Sequence, residues 1–102
     1  MSDVLERIYR LGLLDPTDQE VLHQRTLAPR LRELHGKVGG FLDNRKQNAN
    51  GMLGHIAARL SREYGMVEAV HRAKFIYSRV AEPSIIDDLA ERCDFVVTAI
   101  GD

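Results

Sequence analysis

The chain has 102 residues, 44% hydrophobic and 28% charged, the balance of one small soluble globular domain rather than a disordered segment. No apolar run approaches the roughly 20 residues of a membrane span, and the charge-interrupted start MSDVLERIYRLGLL is no signal peptide. The single cysteine, Cys93, excludes an internal disulfide and a multi-cysteine metal site, so a cytoplasmic protein without a membrane partner is expected. The net charge of -1 hides an asymmetry: five acids and two bases in residues 1–20, eleven bases and four acids in 21–81, six acids and one base in 82–102. A basic middle could draw an anion. No dense Lys/Arg block appears, however, so the charges read as solvated faces and nucleic acid is not an expected partner.

In chain order, residues 3–14 read as a helix. Val4, Leu5, Ile8 and Leu11 fall on one face, Ser2 or Asp3 can cap the start, and Gly12 can end it. Asp15-Pro16 signals a turn, Val21-Leu22 a short strand, and residues 27–35 a linker or short helix. Val38 to Leu42 is a short apolar strand closed by the turn chemistry of Asp43-Asn44. A helix follows, with Asn48 or Asn50 available as its cap. Leu53, Ile56, Ala57, Leu60 and Tyr64 form its apolar stripe, and Gly65 is a suitable left-handed terminator. Met66 to Val70 reads as a second strand, with a continuation through Phe75 to Tyr77. Ser84 to Arg92 reads as a third helix, with Ser84 and Asp87 at capping-box spacing, and Phe95 to Ile100 as a third strand.

The order β-α-β-α-β from residue 37 onward predicts an α/β fold: a three-stranded parallel sheet with crossover helices, strand order 2-1-3, preceded by an N-terminal helix. The expected organisation is an N-terminal helix and turn over residues 1–26 and an α/β domain over 27–102. This topology sets the carboxyl ends of the first and third strands side by side. The turn DNRKQNAN (43–50) and the pair Gly101-Asp102 then share one sheet edge, where ligands of open α/β sheets bind.

At that edge, Asp43, Asn44, Arg45, Lys46, Asn48 and Asn50 crowd a β-to-α turn that could receive an anion at the helix start. It lacks the glycine spacing and Lys-Ser/Thr ending of a phosphate loop, and the alternative is a polar turn with an asparagine cap. Lys74, Ser78 and Arg79 follow the second strand at the same edge. There they could make a second anion contact, or belong to a solvated loop whose Phe75, Ile76 and Tyr77 pack on the core. Cys93 reads as a buried structural thiol, because Glu91, Asp94 and a helix C-terminus disfavour a thiolate. His23, His35, His55 and His71 have no metal-ligand spacing, and His55 reads as a surface or boundary residue. No metal, cofactor or catalytic side chain is assigned. The ligand-binding candidates are Asp43, Asn44, Arg45, Lys46, Asn48, Lys74, Arg79, Gly101 and Asp102. A non-enzymatic module that binds an anion or a protein is one function they would serve. Residues 1–26 could also act as a docking helix.

LAPRLRELHGKVGGFLDNRKQNANGML, AKFIYSR and CDFVVTAIGD, in this order, resemble the UGSC-motif (seleno)protein family over roughly residues 27–102. The carrying motifs are the turn Leu42, Asp43, Asn44, Arg45, Lys46, Gln47, Asn48, Ala49 and the closing Gly101-Asp102. The family's selenocysteine or cysteine followed by Gly-Ser-Cys would come next. In the selenoprotein members its first residue is encoded by UGA, normally a stop. The expectation is therefore that this chain ends at such a codon, the alternative being a natural short paralogue. The resemblance implies a thiol or selenol redox centre on the loop after the third strand, with the Gly-Ser-Cys cysteine resolving the adduct formed with a small-molecule or thiol substrate. Without those two residues the chain itself is expected to be inactive in redox turnover. Its third strand, an open edge, is expected to promote self-association.

Overall fold

The computed structural model describes residues 2–18, 26–76 and 78–101. The chain divides into two compact units, residues 1–30 and 31–102.

The first unit contains α1 (Ser2–Arg10). It is shorter than the 3–14 expected because Gly12, at φ +71°, ends it early. Leu13 N–H donates to Ile8 O and Gly12 N–H to Tyr9 O, each at 3.1 Å. This is the paired closure that a left-handed glycine makes at a helix end. Along the expected apolar stripe, Ile8 is half-buried, whereas Val4, Leu5 and Leu11 are exposed. The Asp15-Pro16 turn forms, with Thr17 N–H donating to Asp15 Oδ1 at 2.9 Å; hydrogen bonding from the Thr17 side chain first, and from its N–H second, holds the Asp15 carboxyl below its ordinary value. The strand expected at Val21-Leu22 and residue His23 lie outside the described residues.

The second unit is α/β, in the order β1 (Val38–Asp43), α2 (Ala49–Tyr64), β2 (Glu68–Ala73), α3 (Pro83–Arg92), β3 (Phe95–Ala99). The three strands form a parallel sheet in the order β2-β1-β3. Val38 to Asp43 pair with Glu68 to Ala73 on one side, and Gly39 to Asp43 with Phe95 to Ala99 on the other. Residues 26–35 form no helix; a turn from Leu34 to Lys37 feeds β1 instead.

Because β2 and β3 lie on opposite sides of β1, crossovers of one hand put α2 and α3 on opposite faces of the sheet. Side-chain alternation along β1 then divides the interior. Phe41 joins Leu53, Ala57 and Met66 in the buried core under α2, flanked by Ile56, Leu60, Ala69, Phe95, Val97 and Ala99. Gly40 faces α3, where an added Cβ would lie 3.0 Å from Cys93 Sγ and 3.1 Å from Leu89 Cδ2. Gly39 faces α2, and a Cβ there would come within 2.7 Å of Met66 Sδ and Phe95 Cζ. These two glycines let the large side chains of each helix layer close on the central strand.

Several element ends differ from the sequence reading, each for a local reason. β2 starts at Glu68 rather than Met66, because Met66 N–H still bonds Leu60 O at the end of α2 and its side chain fills the core. β2 does not continue through Phe75. β1 ends at Asp43, and Lys74 N–H makes the last cross-strand bond, to Asp43 O at 3.0 Å. Phe75 and Ile76 therefore do not pack on the core: they are 78% and 44% exposed. Tyr77 lies outside the described residues. α3 starts at Pro83, whose fixed φ suits a first helical turn. Glu82 occupies the capping position, and no Ser84–Asp87 capping box forms. In α2, Asn48 stands at the cap position in a left-handed conformation, with no side-chain cap bond. Tyr64 is exposed at the end of its stripe, and Gly65 terminates the helix at φ +73°.

Candidate functional site at the carboxyl edge of the sheet

The site begins where β1 ends. Asp43 is the last ladder residue of the central strand, opposite Ala73 on one side and Ala99 on the other. Its carboxylate Oδ1 accepts the N–H of Arg45 at 2.7 Å. Asn44 Oδ1 accepts the N–H of Lys46 at 3.3 Å. These side-chain turns, in which Asx oxygens mimic the backbone, hold Arg45 at φ +69°. Asn48, at φ +70°, is the second left-handed residue of the turn. Asparagine tolerates this conformation; a long side chain such as arginine does so at a cost of order 1 kcal/mol, and such strain concentrates at functional turns.

Asn44 joins the turn to β3. Its backbone N–H donates to Ala99 O at 3.0 Å, and its side-chain Nδ2 donates to Ile100 O at 2.6 Å. Ile100 therefore leaves the ladder, and β3 is one residue shorter than expected. Thr98 Oγ1 donates to Leu42 O at 3.2 Å one step below. The turn after β1 and the departure of β3 are thus bonded at one edge, with Gly101 exposed immediately beyond. Asp102 lies outside the described residues.

The loop after β2 reaches the same edge through the Lys74–Asp43 bond. Lys74 Nζ donates to Arg79 O at 2.6 Å, tying the loop back on itself, and Phe75 N–H donates to Glu82 Oε1 at 3.3 Å. The side chain of Arg79 is on the exposed part of that loop.

A cavity of about 150 Å³ opens beside Asp43 on the α2 side, between β1 and β2. Phe41, Leu53 and Ala73 give its apolar wall, and Asp43, Asn50, His71 and Arg72 complete it. The His71 ring stacks on Phe41 with centroids 5.3 Å apart. Arg45, Lys46, Asn48, Lys74 and Arg79 are not among its lining residues. Sequence reasoning missed His71 because the second strand was ended at Val70. Asn50 enters the sequence reading as a member of the polar turn and as a possible cap. Continuing the strand alternation by one residue would have put His71 on the face of Phe41.

Cys93 caps α3 and packs above Gly40, half-buried. Burial pushes its thiol above the ordinary value, Arg92 opposes the shift and Asp88 adds to it. This agrees with a structural thiol, although burial rather than the neighbouring acids is the leading cause. Among the described residues no cluster of His, Cys, Asp or Glu could hold a metal ion, and no helix is long and apolar enough to cross a membrane.

Taken together, the features define a parallel α/β domain whose adjacent strand tips present an Asx-rich turn at the carboxyl edge. The UGSC family model matches residues 12–102, nearly the whole chain. The chain belongs to the UGSC family. The match begins upstream of residue 27, where the resemblance read from motifs starts. No curated protein and no solved structure matches the chain.

Proposed function

We propose that this chain forms the scaffold of a thiol or selenol redox protein whose nucleophile is carried on polypeptide continuing from β3 past Asp102. The observation that supports this reading is the pair of hydrogen bonds that Asn44 donates to the tip of β3, from its backbone N–H to Ala99 O and from its side-chain Nδ2 to Ile100 O. Polypeptide that follows this tip would start beside the Asp43–Asn48 turn, at the edge where α/β sheets place their chemistry. A selenolate or thiolate there would attack the substrate and form an adduct. The cysteine of a Gly-Ser-Cys segment would then displace the reduced product and close a Se–S or S–S bond, so the pair supplies both electrons. Asn44 and the turn would position the reactive segment; no redox turnover is assigned to residues 1–102. Such chemistry suits the reducing cytoplasm, and the outer edge of β3 offers its N–H and C=O groups to a strand from a second copy. An anion-binding module built on Arg45, Lys46, Lys74 and Arg79 is less well supported, because Lys74 Nζ bonds Arg79 O within its own loop.

The test is the codon after Asp102. UGA followed in frame by Gly-Ser-Cys is the expected result, and a chain extended through that motif should form an intramolecular Se–S or S–S bond on mild oxidation. A different stop codon with no downstream frame would overturn the proposal.

A further inference from the structure

The two outer strands of the sheet meet solvent differently. β2 is a guarded edge: Glu68 pairs with Arg92 at 3.6 Å, Arg72 with Asp88 at 2.9 Å, and Arg72 Nη1 donates to His71 O at 2.8 Å. Charged side chains along an edge discourage the addition of another strand. β3 has no such guard. Its residues, FVVTA, include no charge and no proline, and Val96, Val97 and Thr98 are β-branched residues suited to a pleated surface. The ion pairs of α3 run to Glu68 and Arg72 of β2, and Val96 and Thr98 are left exposed on the α3 side of β3.

An open, uncharged edge admits a copy of itself, and the charges beyond its two ends select the orientation. An antiparallel pair in which all five residues meet is centred on Val97. Val96 then faces the second copy's Thr98, and Asp94 falls level with the second copy's Ile100. Ile100 is the residue whose carbonyl accepts the Asn44 side chain, so Arg45 follows at that level on the central strand. The exposed Arg45 thus lies two strand spacings, about 10 Å, from the exposed Asp94 of the other copy, a gap their side chains span together. In a parallel pair Arg45 would oppose Arg45 and Asp94 would oppose Asp94, which is repulsive. We infer that the chain associates with a second copy edge to edge through β3, antiparallel about Val97, forming one six-stranded sheet in which each copy's Arg45 turn faces the other's Asp94. The pair has the two-fold symmetry of most homodimers, so the charge contact occurs twice. Two five-residue strands make a contact smaller than the roughly 1,200 Å² of a standard interface, which sets the dimer in the weak range, with a Kd of order 0.1 mM. The inference goes beyond the redox reading and does not rest on it, because every residue it uses lies within the described chain.

Sedimentation equilibrium of the whole chain, from about 10 µM to about 1 mM, should show a monomer–dimer equilibrium. The dimer should weaken several-fold as salt rises from about 50 mM to about 500 mM. Val96→Lys and, separately, Thr98→Lys place a lysine on the exposed side of each edge, and each should weaken the dimer about tenfold or more. Arg45→Glu should weaken it by a similar factor. Asp94→Asn, which keeps an oxygen for Val38 N–H, should weaken the parent dimer but tighten the dimer of the Arg45→Glu chain, because there it removes two like-charge contacts. Within one chain residues 45 and 94 stand at opposite ends of the sheet, so this reversal of sign reports a contact between copies. The inference is overturned if the chain stays monomeric at about 1 mM, or if neither lysine variant weakens the dimer, which would put the contact on another surface. It is also overturned if Asp94→Asn acts in the same direction in both backgrounds, which would exclude the antiparallel arrangement.

Discussion

On the α2 side of the sheet, Phe41, Leu53, Ala57 and Met66 are buried against one another, with six further half-buried apolar side chains around them. On the α3 side, Leu89 and Val70 are buried, but Val96 is 47% exposed and the helix is tied down largely by charge. Arg72 bonds Asp88, and Arg92 reaches both Asp88 (3.8 Å) and Glu68 (3.6 Å). Partly exposed ion pairs of this kind contribute about 0–1 kcal/mol each, whereas a single buried large side chain is worth about 2–3 kcal/mol. One face therefore carries the stability and the other sets the position of a helix. The central strand serves both, with bulk at Phe41 on one face and absence of bulk at Gly40 on the other.

That contrast can be broken most directly at Phe41. Phe41→Ala removes the fully buried ring that contacts both His71 and Phe95, and should cost about 3–5 kcal/mol, enough to unfold much of the domain in a urea titration. A smaller effect sharpens the comparison. Gly39→Ala drives a methyl into Met66 and Phe95 in the tight layer and should cost about 1–3 kcal/mol. Gly40→Ala meets Cys93, Leu89 and Val96 at 3.0–3.1 Å, in a layer that can shift outward, and its midpoint should fall clearly less. Equal losses at the two glycines would mean that both layers are equally rigid.

The smallest expected effect concerns pH. Burial raises the Cys93 thiol in the folded state, so the folded protein holds that proton more tightly than the unfolded chain does. The resulting stabilisation is fully present below the unfolded thiol value and is lost as pH rises through the folded one. Cys93→Ser should flatten this alkaline decline. In the parent, alkylation of Cys93 by iodoacetamide should be slower in the folded chain than in urea at the same pH.

Much of the α/β plan was legible because the elements carry strong local signals. The apolar stripe of α2 ended by Gly65, the run Phe95–Ala99, and the Asp43-Asn44 turn are each decided by near neighbours in sequence. The parallel order 2-1-3 followed from the alternation of strands and helices. What could not be read were features set across the fold. Met66 is apolar because it fills the core from outside the ladder. Phe75 and Ile76 look like strand residues but have no partner once β1 stops at Asp43. The cap of α3 moved to Glu82, whose carboxylate is engaged with Phe75. The Asp43–Asn48 turn was identifiable by its residues. The cavity was not, because it depends on His71 stacking over Phe41 from a neighbouring strand.

Asp94 makes two contacts with Val38 at the start of β3. Its N–H donates to Val38 O, and its Oδ2 accepts Val38 N–H, each at 2.8 Å. A carboxylate cannot be replaced in that clasp by the residue before or after it, so the pair works as a vernier for the whole strand. A slip by one residue would turn every β3 side chain to the other face. Ile100 would also be carried away from the amide of Asn44. The alignment of the site at the far end is thus set five residues earlier, by one acid at the bottom of the sheet.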